Sequence, residues 1–164
     1  KEHWHFLIYF LFILIIFNFC KKFYLGDSGT YLLSFFTGFI VIDTYNNSLS
    51  FSPFFVVLLL WYPCFENLFS IIRKFKLNKS PINPDTKHLH HLLFFLIFKK
   101  FNKKKNFSNN FASIAINTYN LLLFYLGSLN IYNTQYLIIL IIVSVIIYII
   151  TYLKLFRYKF GSNL

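Results

Sequence analysis

The chain has 164 residues, of which 57% are hydrophobic and 13% are charged, and its formal net charge is +11. A soluble globular domain carries charged residues at about a quarter of its positions, so this composition excludes that class. The sequence therefore predicts an integral membrane protein whose excess of cations lies in its loops.

Five apolar stretches are candidates to cross a bilayer, because a hydrocarbon core of about 30 Å needs about 20 helical residues. In chain order they are residues 4–19, 31–45, 51–72, 111–129 and 136–156. The first two are short and need neighbouring helices or local thinning of the bilayer. The predicted fold is all-α, a polytopic membrane helix bundle of about five transmembrane helices forming a single membrane domain over residues 1–164.

The basic residues fall on one side of these five spans. Residues 73–106 contain ten cations and a single acid, Asp85, which gives this segment a net charge of +9. The cations of residues 21–22 and 154–159 lie on the same side, because successive spans alternate in direction. The positive-inside rule makes that side cytoplasmic. We therefore predict that residues 73–106 form a basic cytoplasmic loop, with the N-terminus outside and the C-terminus inside.

A polar motif with two glycines and an acid, Gly26-Asp27-Ser28-Gly29, lies at the cytoplasmic interface. Its glycines let the backbone approach a ligand closely, and Ser28 can cap the helix that follows. A carboxylate here can hold Mg²⁺ together with substrate phosphates, which a helix N-terminus also favours. The plain alternative is a helix-start turn, in which Asp, Ser and Gly are common. Glu66 is a second acid near membrane depth and a candidate functional residue.

Three histidines, His88, His90 and His91, follow a proline-bounded turn in the basic segment. If the segment is helical from His88, then His88 and His91 share a face and His90 points elsewhere. Imidazoles together with Lys79 and Lys87 can bind and orient phosphate groups. Zinc binding is an alternative, although neither cysteine has the usual ligand spacing. A solvated basic loop attracted to anionic lipid is another alternative.

Three motifs, in this order, resemble those of the bacterial polyprenyl-phosphate N-acetylhexosamine-1-phosphate transferases of glycosyltransferase family 4. The first is FNF at 17–19 with KFYLGDSGTYLL at 22–33, the second is WYPCFE at 61–66 with Arg73-Lys74, and the third is SPINPD at 80–85 with HLHHLL at 88–93. Glu66 stands where the family usually has Asp. The resemblance covers about residues 15–95, and the last two spans match only in hydrophobicity.

The resemblance implies an enzyme that moves N-acetylhexosamine 1-phosphate from a UDP-sugar to polyprenyl (undecaprenyl) phosphate and releases UMP. The reaction would occur at the cytoplasmic face of the bacterial plasma membrane, in cell-envelope polysaccharide synthesis, with Mg²⁺ or alternatively Mn²⁺. Asp27 would be the metal-binding or catalytic carboxylate. The groups that would bind the nucleotide sugar and its phosphates are His88, His90, His91, Lys87 and Arg73. Supporting positions would be Asn18, Lys22, Ser28, Glu66 and Asp85.

The chain contains no Met and begins with Lys1, from which we expect the C-terminal half of a larger enzyme. The adjacent aspartates of the resembling family belong to an N-terminal half that this sequence lacks. We therefore predict that the chain alone does not turn over. Its predicted partners are this missing half, the two substrates and the lipid bilayer; we expect no nucleic acid and leave a homodimer open.

Two other functions remain open from the sequence. A non-catalytic transporter or an anionic-lipid-binding module would depend more on the lysines of residues 103–105 than on His88 or His91. A phospho-MurNAc-pentapeptide transferase would have three consecutive histidines followed by an acid. Here Leu89 interrupts the histidines, so the sequence favours the N-acetylhexosamine-1-phosphate transferase.

Overall fold

The described residues of the chain are entirely helical. A computed structural model describes all positions except 1, 21, 23–25, 48–50, 79, 81–86, 102–103 and 162–164, and it describes residues 2–8 and 27 only by their backbone. The helices are α1 (Glu2–Phe19), α2 (Gly26–Asn47), α3 (Pro53–Lys76), α4 (Leu89–Phe101), α5 (Lys105–Ser128) and α6 (Thr134–Phe160). No strand occurs within these ranges, and the predicted all-α fold is confirmed.

The helices fall into two compact units, Lys1–Leu49 and Ser50–Leu164. The first unit contains α1 and α2. Along α2, hydroxyl groups donate to the backbone carbonyl four residues earlier, as Thr30 Oγ1 does to Gly26 at 2.7 Å. Such bonds satisfy the hydroxyls inside an apolar helix without a partner on another element. The predicted single domain over residues 1–164 stays a prediction.

Each of the five predicted spans lies largely within one helix. Among the described residues, α3 and α6 are long and apolar enough to cross a membrane, and α1 has a shorter apolar stretch at Tyr9–Phe19. The 24 residues of α3 correspond to a length of about 36 Å. This composition is typical of a membrane helix bundle. The crossings by α1, α2 and α5 stay predictions.

The second unit has a core between α3, α4, α5 and α6. Its buried members are Leu58, Trp61, Leu89, Leu92, Leu123, Leu137, Tyr148, Tyr152 and Leu155. Helix α5 approaches α3 closely, since a Cβ added at Gly127 would lie 2.4 Å from Leu58 Cδ2. Close approach through a small residue is a common way for membrane helices to pack.

Both ends of α3 are fixed by local contacts. At its start the Ser52 hydroxyl accepts from the Phe54 N–H at 3.3 Å and pairs with Thr134 Oγ1 at 2.9 Å. At its end the N–H of Leu77 bonds to the Lys74 carbonyl, and Asn78 takes the left-handed backbone conformation with φ 52°. Asparagine tolerates this conformation better than most residues, so the helix ends here and the chain can turn.

Residues 89–101, which the sequence analysis places in the 73–106 loop, form helix α4. Leu89, Leu92 and Ile97 are buried on one face of this helix. Their spacing is helical, so burial against the neighbouring helices favours a helix over an irregular loop. Part of the predicted 73–106 loop between two spans is therefore helical, because the apolar face of α4 outweighs its flanking charges, and the assignment of the loop to the cytoplasm stays a prediction.

The basic ends of α4 and α6 meet at one end of the second unit. Lys99 Nζ lies 5.8 Å from the ring centroid of Tyr158, and Lys159 Nζ lies 5.4 Å from that of Phe95. Arg73, near the end of α3, contacts Tyr152 of α6 toward the same end. The charge sorting of the second unit is therefore the predicted one. Its assignment to the cytoplasm stays a prediction.

Candidate functional site

The centre of the candidate site is the carboxylate of Glu66, which is 8% exposed on α3. Its Oε1 accepts from the Leu89 N–H at 3.0 Å and lies 3.0 Å from His88 Nδ1. Its Oε2 accepts from the Tyr148 hydroxyl at 2.5 Å. Hydrogen bonds to an ionised acceptor are stronger than neutral ones, so this carboxylate ties α3, α4 and α6 together.

The same contacts fix which ring nitrogen of His88 carries a proton. An ionised carboxylate only accepts hydrogen bonds, so the Nδ1 atom that faces Glu66 must be the donor. We infer that Nδ1 is protonated and that Nε2 is directed away from Glu66. A histidine fixed in this way presents a single orientation of its ring to a ligand.

Arg73 lies seven residues after Glu66 on α3 and holds the chain next to His88. Its Nη1 donates to the Lys87 carbonyl at 3.1 Å and to the Tyr152 hydroxyl at 2.7 Å, and its Nη2 donates to Ser70 Oγ at 3.3 Å. Residues seven apart share one face of a helix. Glu66 and Arg73 therefore lie on the same face of α3, and together they hold residues 87–89 through hydrogen bonds.

The rings of His88, His90 and His91 form one group, the histidine cluster. Ring centroids are 5.8 Å apart for His88 and His90, 6.5 Å for His88 and His91, and 4.1 Å for His90 and His91. The expectation that His90 points away from the other two held only for a helix that begins at His88, and it does not apply here. It requires a helix from His88, whereas α4 begins at Leu89 and leaves His88 in the preceding turn.

The electrostatics of the histidine cluster favour a neutral ring at His90. Partial burial lowers the pKa of His90 below its ordinary value, and positive charge on His91 and His88 lowers it further, while Glu66 acts in the opposite direction. Neighbouring imidazoles resist simultaneous protonation because like charges repel. A neutral ring can both donate and accept a hydrogen bond, which suits a phosphate or a sugar hydroxyl.

The predicted metal-binding residue lies in the first unit. Asp27 is in the first turn of α2, directly after Gly26 with φ +65°, and its side chain lies outside the described residues. Within the part of the chain that the structure describes, no group of three or more His, Cys, Asp or Glu could hold a metal ion. That part includes the whole histidine cluster, on which the zinc alternative depends.

The positions that the resemblance implies as supporting residues lie in different parts of the structure. Asn18 and Lys22 are exposed, at the end of α1 and just after it. The prediction that Ser28 caps a helix is wrong, because α2 already begins at Gly26 and Ser28 lies inside it. Lys79 and Asp85 lie outside the described residues.

Two tyrosines of the site were missed by the sequence analysis. Tyr148 and Tyr152 are buried on α6 and carry the hydroxyls that contact Glu66 and Arg73. Their signal in the sequence is a pair of phenols four residues apart in a run otherwise rich in Ile, Val and Leu. A buried phenol usually has a hydrogen-bond partner, so such a pair marks a polar contact whose partner is visible only after folding.

Comparison with known proteins gives two curated relatives. The undecaprenyl-phosphate alpha-N-acetylglucosaminyl 1-phosphate transferase of Thermotoga maritima is 32% identical over 71 residues, which are 43% of this chain and 23% of the relative. A probable undecaprenyl-phosphate N-acetylglucosaminyl 1-phosphate transferase of Bacillus subtilis is 35% identical over 74 residues, 44% of this chain and 20% of the relative. The match therefore spans less than a quarter of either relative. No protein-family model matches the chain, and no solved structure matches it.

The helical fold and the site define an α-helical membrane-type protein with a histidine cluster in which a buried carboxylate holds His88. Within that class, the matched part of this chain is homologous to undecaprenyl-phosphate N-acetylglucosaminyl 1-phosphate transferases. This homology confirms the resemblance that the three sequence motifs indicate.

Proposed function

We propose that the chain forms part of an enzyme that transfers N-acetylglucosamine 1-phosphate from a UDP-sugar to a polyprenyl phosphate and releases UMP. The observation that carries this proposal is the histidine cluster with His88 held by Glu66, in a chain whose relatives are named as undecaprenyl-phosphate N-acetylglucosaminyl 1-phosphate transferases. The reaction would take place at the cytoplasmic membrane face, where the basic end of the second unit would lie.

The chemistry needs charge neutralisation and alignment more than a covalent intermediate. An oxygen of the acceptor phosphate attacks the sugar-bearing phosphorus, and the bond from that phosphorus to the oxygen of UMP breaks. Fixed hydrogen-bond donors lower the barrier by stabilising charge on the phosphoryl oxygens in line with the attack. The rings of His90 and His91, beside the fixed His88, would supply donors for the nucleotide-sugar phosphates.

We propose Asp27 as the ligand of Mg²⁺, with Mn²⁺ as an alternative. The proposal is supported by the position of Asp27 in the first turn of α2. A carboxylate commonly binds Mg²⁺ together with substrate phosphates, and a helix N-terminus favours phosphate binding. The bound ion would neutralise charge on the substrate phosphates. The adjacent aspartates of the family would come from a segment outside this chain.

The test is transfer of labelled N-acetylglucosamine 1-phosphate from UDP-N-acetylglucosamine to undecaprenyl phosphate, by the complete polypeptide that carries this chain. Asp27→Asn should abolish transfer, and His91→Ala should lower kcat/KM by about 100-fold, the usual effect of losing one stabilising donor. Lys105→Ala, which changes a cation outside the cluster, should have near-normal activity. Near-normal turnover of Asp27→Asn would contradict the role of Asp27.

The same assay separates transfer from simple attraction to anionic lipid. Joint replacement of the lysines at 103–105 by glutamine would be the more harmful change for a lipid-binding module. For the proposed transferase, replacement of His91 is the more harmful one.

A further inference from the structure

The last helix of the chain, α6, contributes a hydroxyl to the candidate site although none of the three sequence motifs lies on it. The motifs end at residue 93, whereas Tyr148 lies 82 positions after Glu66. Tyr148 is 3% exposed, and its hydroxyl donates to Glu66 Oε2 at 2.5 Å. This distance is typical of a strong hydrogen bond to an ionised oxygen. Tyr148 is therefore a firm partner of the carboxylate.

The ring of Tyr148 is fixed by aromatic neighbours that do not depend on its hydroxyl. Its centroid lies 5.0 Å from that of Phe65 and 5.6 Å from that of Phe69, both in edge-to-face contact, and 6.1 Å from that of Tyr152 in a stacked contact. Aromatic pairs favour these arrangements. Apolar rings also lower the local dielectric, which strengthens the hydrogen bond between the hydroxyl and Glu66. The hydroxyl is thus presented to Glu66 in one place.

The two oxygens of Glu66 have different partners. Oε2 accepts from Tyr148, whereas Oε1 accepts from the Leu89 N–H and lies 3.0 Å from His88 Nδ1. A carboxylate is a rigid planar group, so a donor that fixes Oε2 also fixes where Oε1 lies. A hydroxyl on α6 therefore controls the oxygen that faces the His88 ring.

We propose that Tyr148 is a positioning residue that holds the His88 ring, through Glu66, in the orientation that sugar-phosphate transfer requires. This inference rests on the proposed function and extends its site to the last helix of the chain. Without the hydroxyl, the buried Oε2 lacks the donor that it now has, which is unfavourable. The carboxylate then turns toward its remaining donors, and His88 loses its fixed Nδ1–H form.

The first test is spectroscopic and needs no turnover. Tyr148→Phe keeps the packed ring and removes only the hydroxyl. In the chain with ¹⁵N-labelled histidine, reconstituted in nanodiscs, His88 should show Nδ1–H alone in the natural sequence and a second form with Nε2–H in Tyr148→Phe.

Tyr119→Phe is the matched control for the loss of a phenol hydroxyl. Tyr119 is half-buried on α5 and packs edge-to-face on Trp61, with ring centroids 6.2 Å apart. Its buried hydroxyl has no hydrogen-bond partner among the described residues. Tyr119→Phe should therefore leave the His88 signals unchanged.

A second background shows whether Tyr148 acts through Glu66. Glu66→Leu removes both acceptor oxygens and keeps a side chain of similar size. Two groups that act through one contact are not additive, so Tyr148→Phe should cause no further change of the His88 signals in that background.

The transfer assay with the complete polypeptide measures the consequence for the reaction. Tyr148→Phe should lower kcat/KM by about tenfold, the lower end of the effect of removing a partner that orients a histidine. Tyr119→Phe should keep near-normal kcat/KM.

Three spectroscopic outcomes would overturn the positioning role. These are unaltered His88 signals in Tyr148→Phe, an equal change in Tyr119→Phe, and a further change when Tyr148→Phe is added to Glu66→Leu. Normal kcat/KM in Tyr148→Phe, in an enzyme that still loses activity with His91→Ala, would sink this inference and leave the proposed function. A complete polypeptide that transfers no sugar phosphate, although its His88 signals respond as expected, would sink the transferase and leave the coupling of Tyr148 to His88.

Discussion

Glu66 is the residue that holds His88 of the histidine cluster in position. It is buried and accepts hydrogen bonds from Leu89, His88 and Tyr148, so each of its oxygens has a donor from another element. Removing one partner from such a network leaves a buried polar group unsatisfied, which costs about 1–3 kcal/mol. The carboxylate therefore both stabilises the fold and orients His88.

We expect Glu66→Gln to destabilise the protein by about 1–3 kcal/mol, because an amide nitrogen would face one of the donors that the carboxylate now accepts from. Thermal unfolding in detergent measures this change. Asp43→Asn is the matched control, since Asp43 is exposed on α2 and should change stability by less than about 0.5 kcal/mol. Selective ¹⁵N labelling of histidine should also show that His88 loses its fixed Nδ1–H form. An unaltered His88 spectrum in Glu66→Gln would contradict the positioning role.

His90 gives the protein a predictable response to pH. Partial burial, followed by the charges of His91 and His88, lowers its pKa in the folded state, and Glu66 opposes this shift. The unfolded chain keeps the ordinary histidine pKa of 6.5 and so binds protons first as the pH falls. We expect stability to be full above this value and to decrease as the pH falls through it.

Thermal unfolding at several pH values on both sides of 6.5 tests the response of His90. His90→Gln should flatten the pH dependence, and His91→Gln should raise the pKa of His90 toward its ordinary value by removing a neighbouring charge. An NMR titration of the His90 ring in the His91→Gln variant reports that shift directly. A His90 pKa that moves downward in this variant would be inconsistent with repulsion inside the cluster.

At the scale of elements, α3 carries the polar side chains that hold the candidate site together. Glu66, Ser70 and Arg73 follow the i, i+4, i+7 spacing of one helical face, and each takes part in a polar contact. Tyr148 and Tyr152 lie four residues apart on one face of α6, and each also takes part in a polar contact. These contacts, with the Ser52–Thr134 pair at the start of both helices, help to set how α3 and α6 align.

The close packing of α5 on α3 makes a second element-scale prediction. Gly127→Ala would place a Cβ 2.4 Å from Leu58 Cδ2, and Leu58 is fully buried. We expect a net destabilisation of about 1 kcal/mol, because overpacking exceeds the gain in helix propensity. Gly38→Ala is the control, since nothing lies within 4 Å of the added atom. Thermal unfolding in detergent compares the two.

A double variant shows whether the close contact is the cause. Leu58→Ala removes the atoms that meet the new Cβ, so Gly127→Ala should cost less in that background than in the natural chain. Equal costs in both backgrounds would mean that Gly127 is required for another reason.

At the scale of the whole molecule, the separation of charge and apolar surface is the dominant feature. The ends of α3, α4 and α6 carry most of the described cations of the second unit, while the loop between α5 and α6 carries none. This polarity is what a membrane requires, since cations at the centre of a bilayer are costly.

The sequence alone determined the helical class, the approximate position of five apolar helices, the basic end and the three histidines. These features follow from the local composition and the hydrophobic periodicity, which can be read without knowledge of long-range contacts. The resemblance to N-acetylhexosamine-1-phosphate transferases followed from the order of three motifs, and the curated relatives confirm it over the matched part of the chain. Asp27 stays a candidate known from its motif alone.

Only the tertiary structure decided how the site is held. Sequence spacing places Glu66 and Arg73 on one face of α3. It does not show that both residues bind residues 87–89, or that the Tyr148 hydroxyl donates to Glu66. Helix α4 likewise depends on burial of Leu92 against other helices, which outweighs the local charges. Such contacts join residues up to 82 positions apart, so no local pattern encodes them.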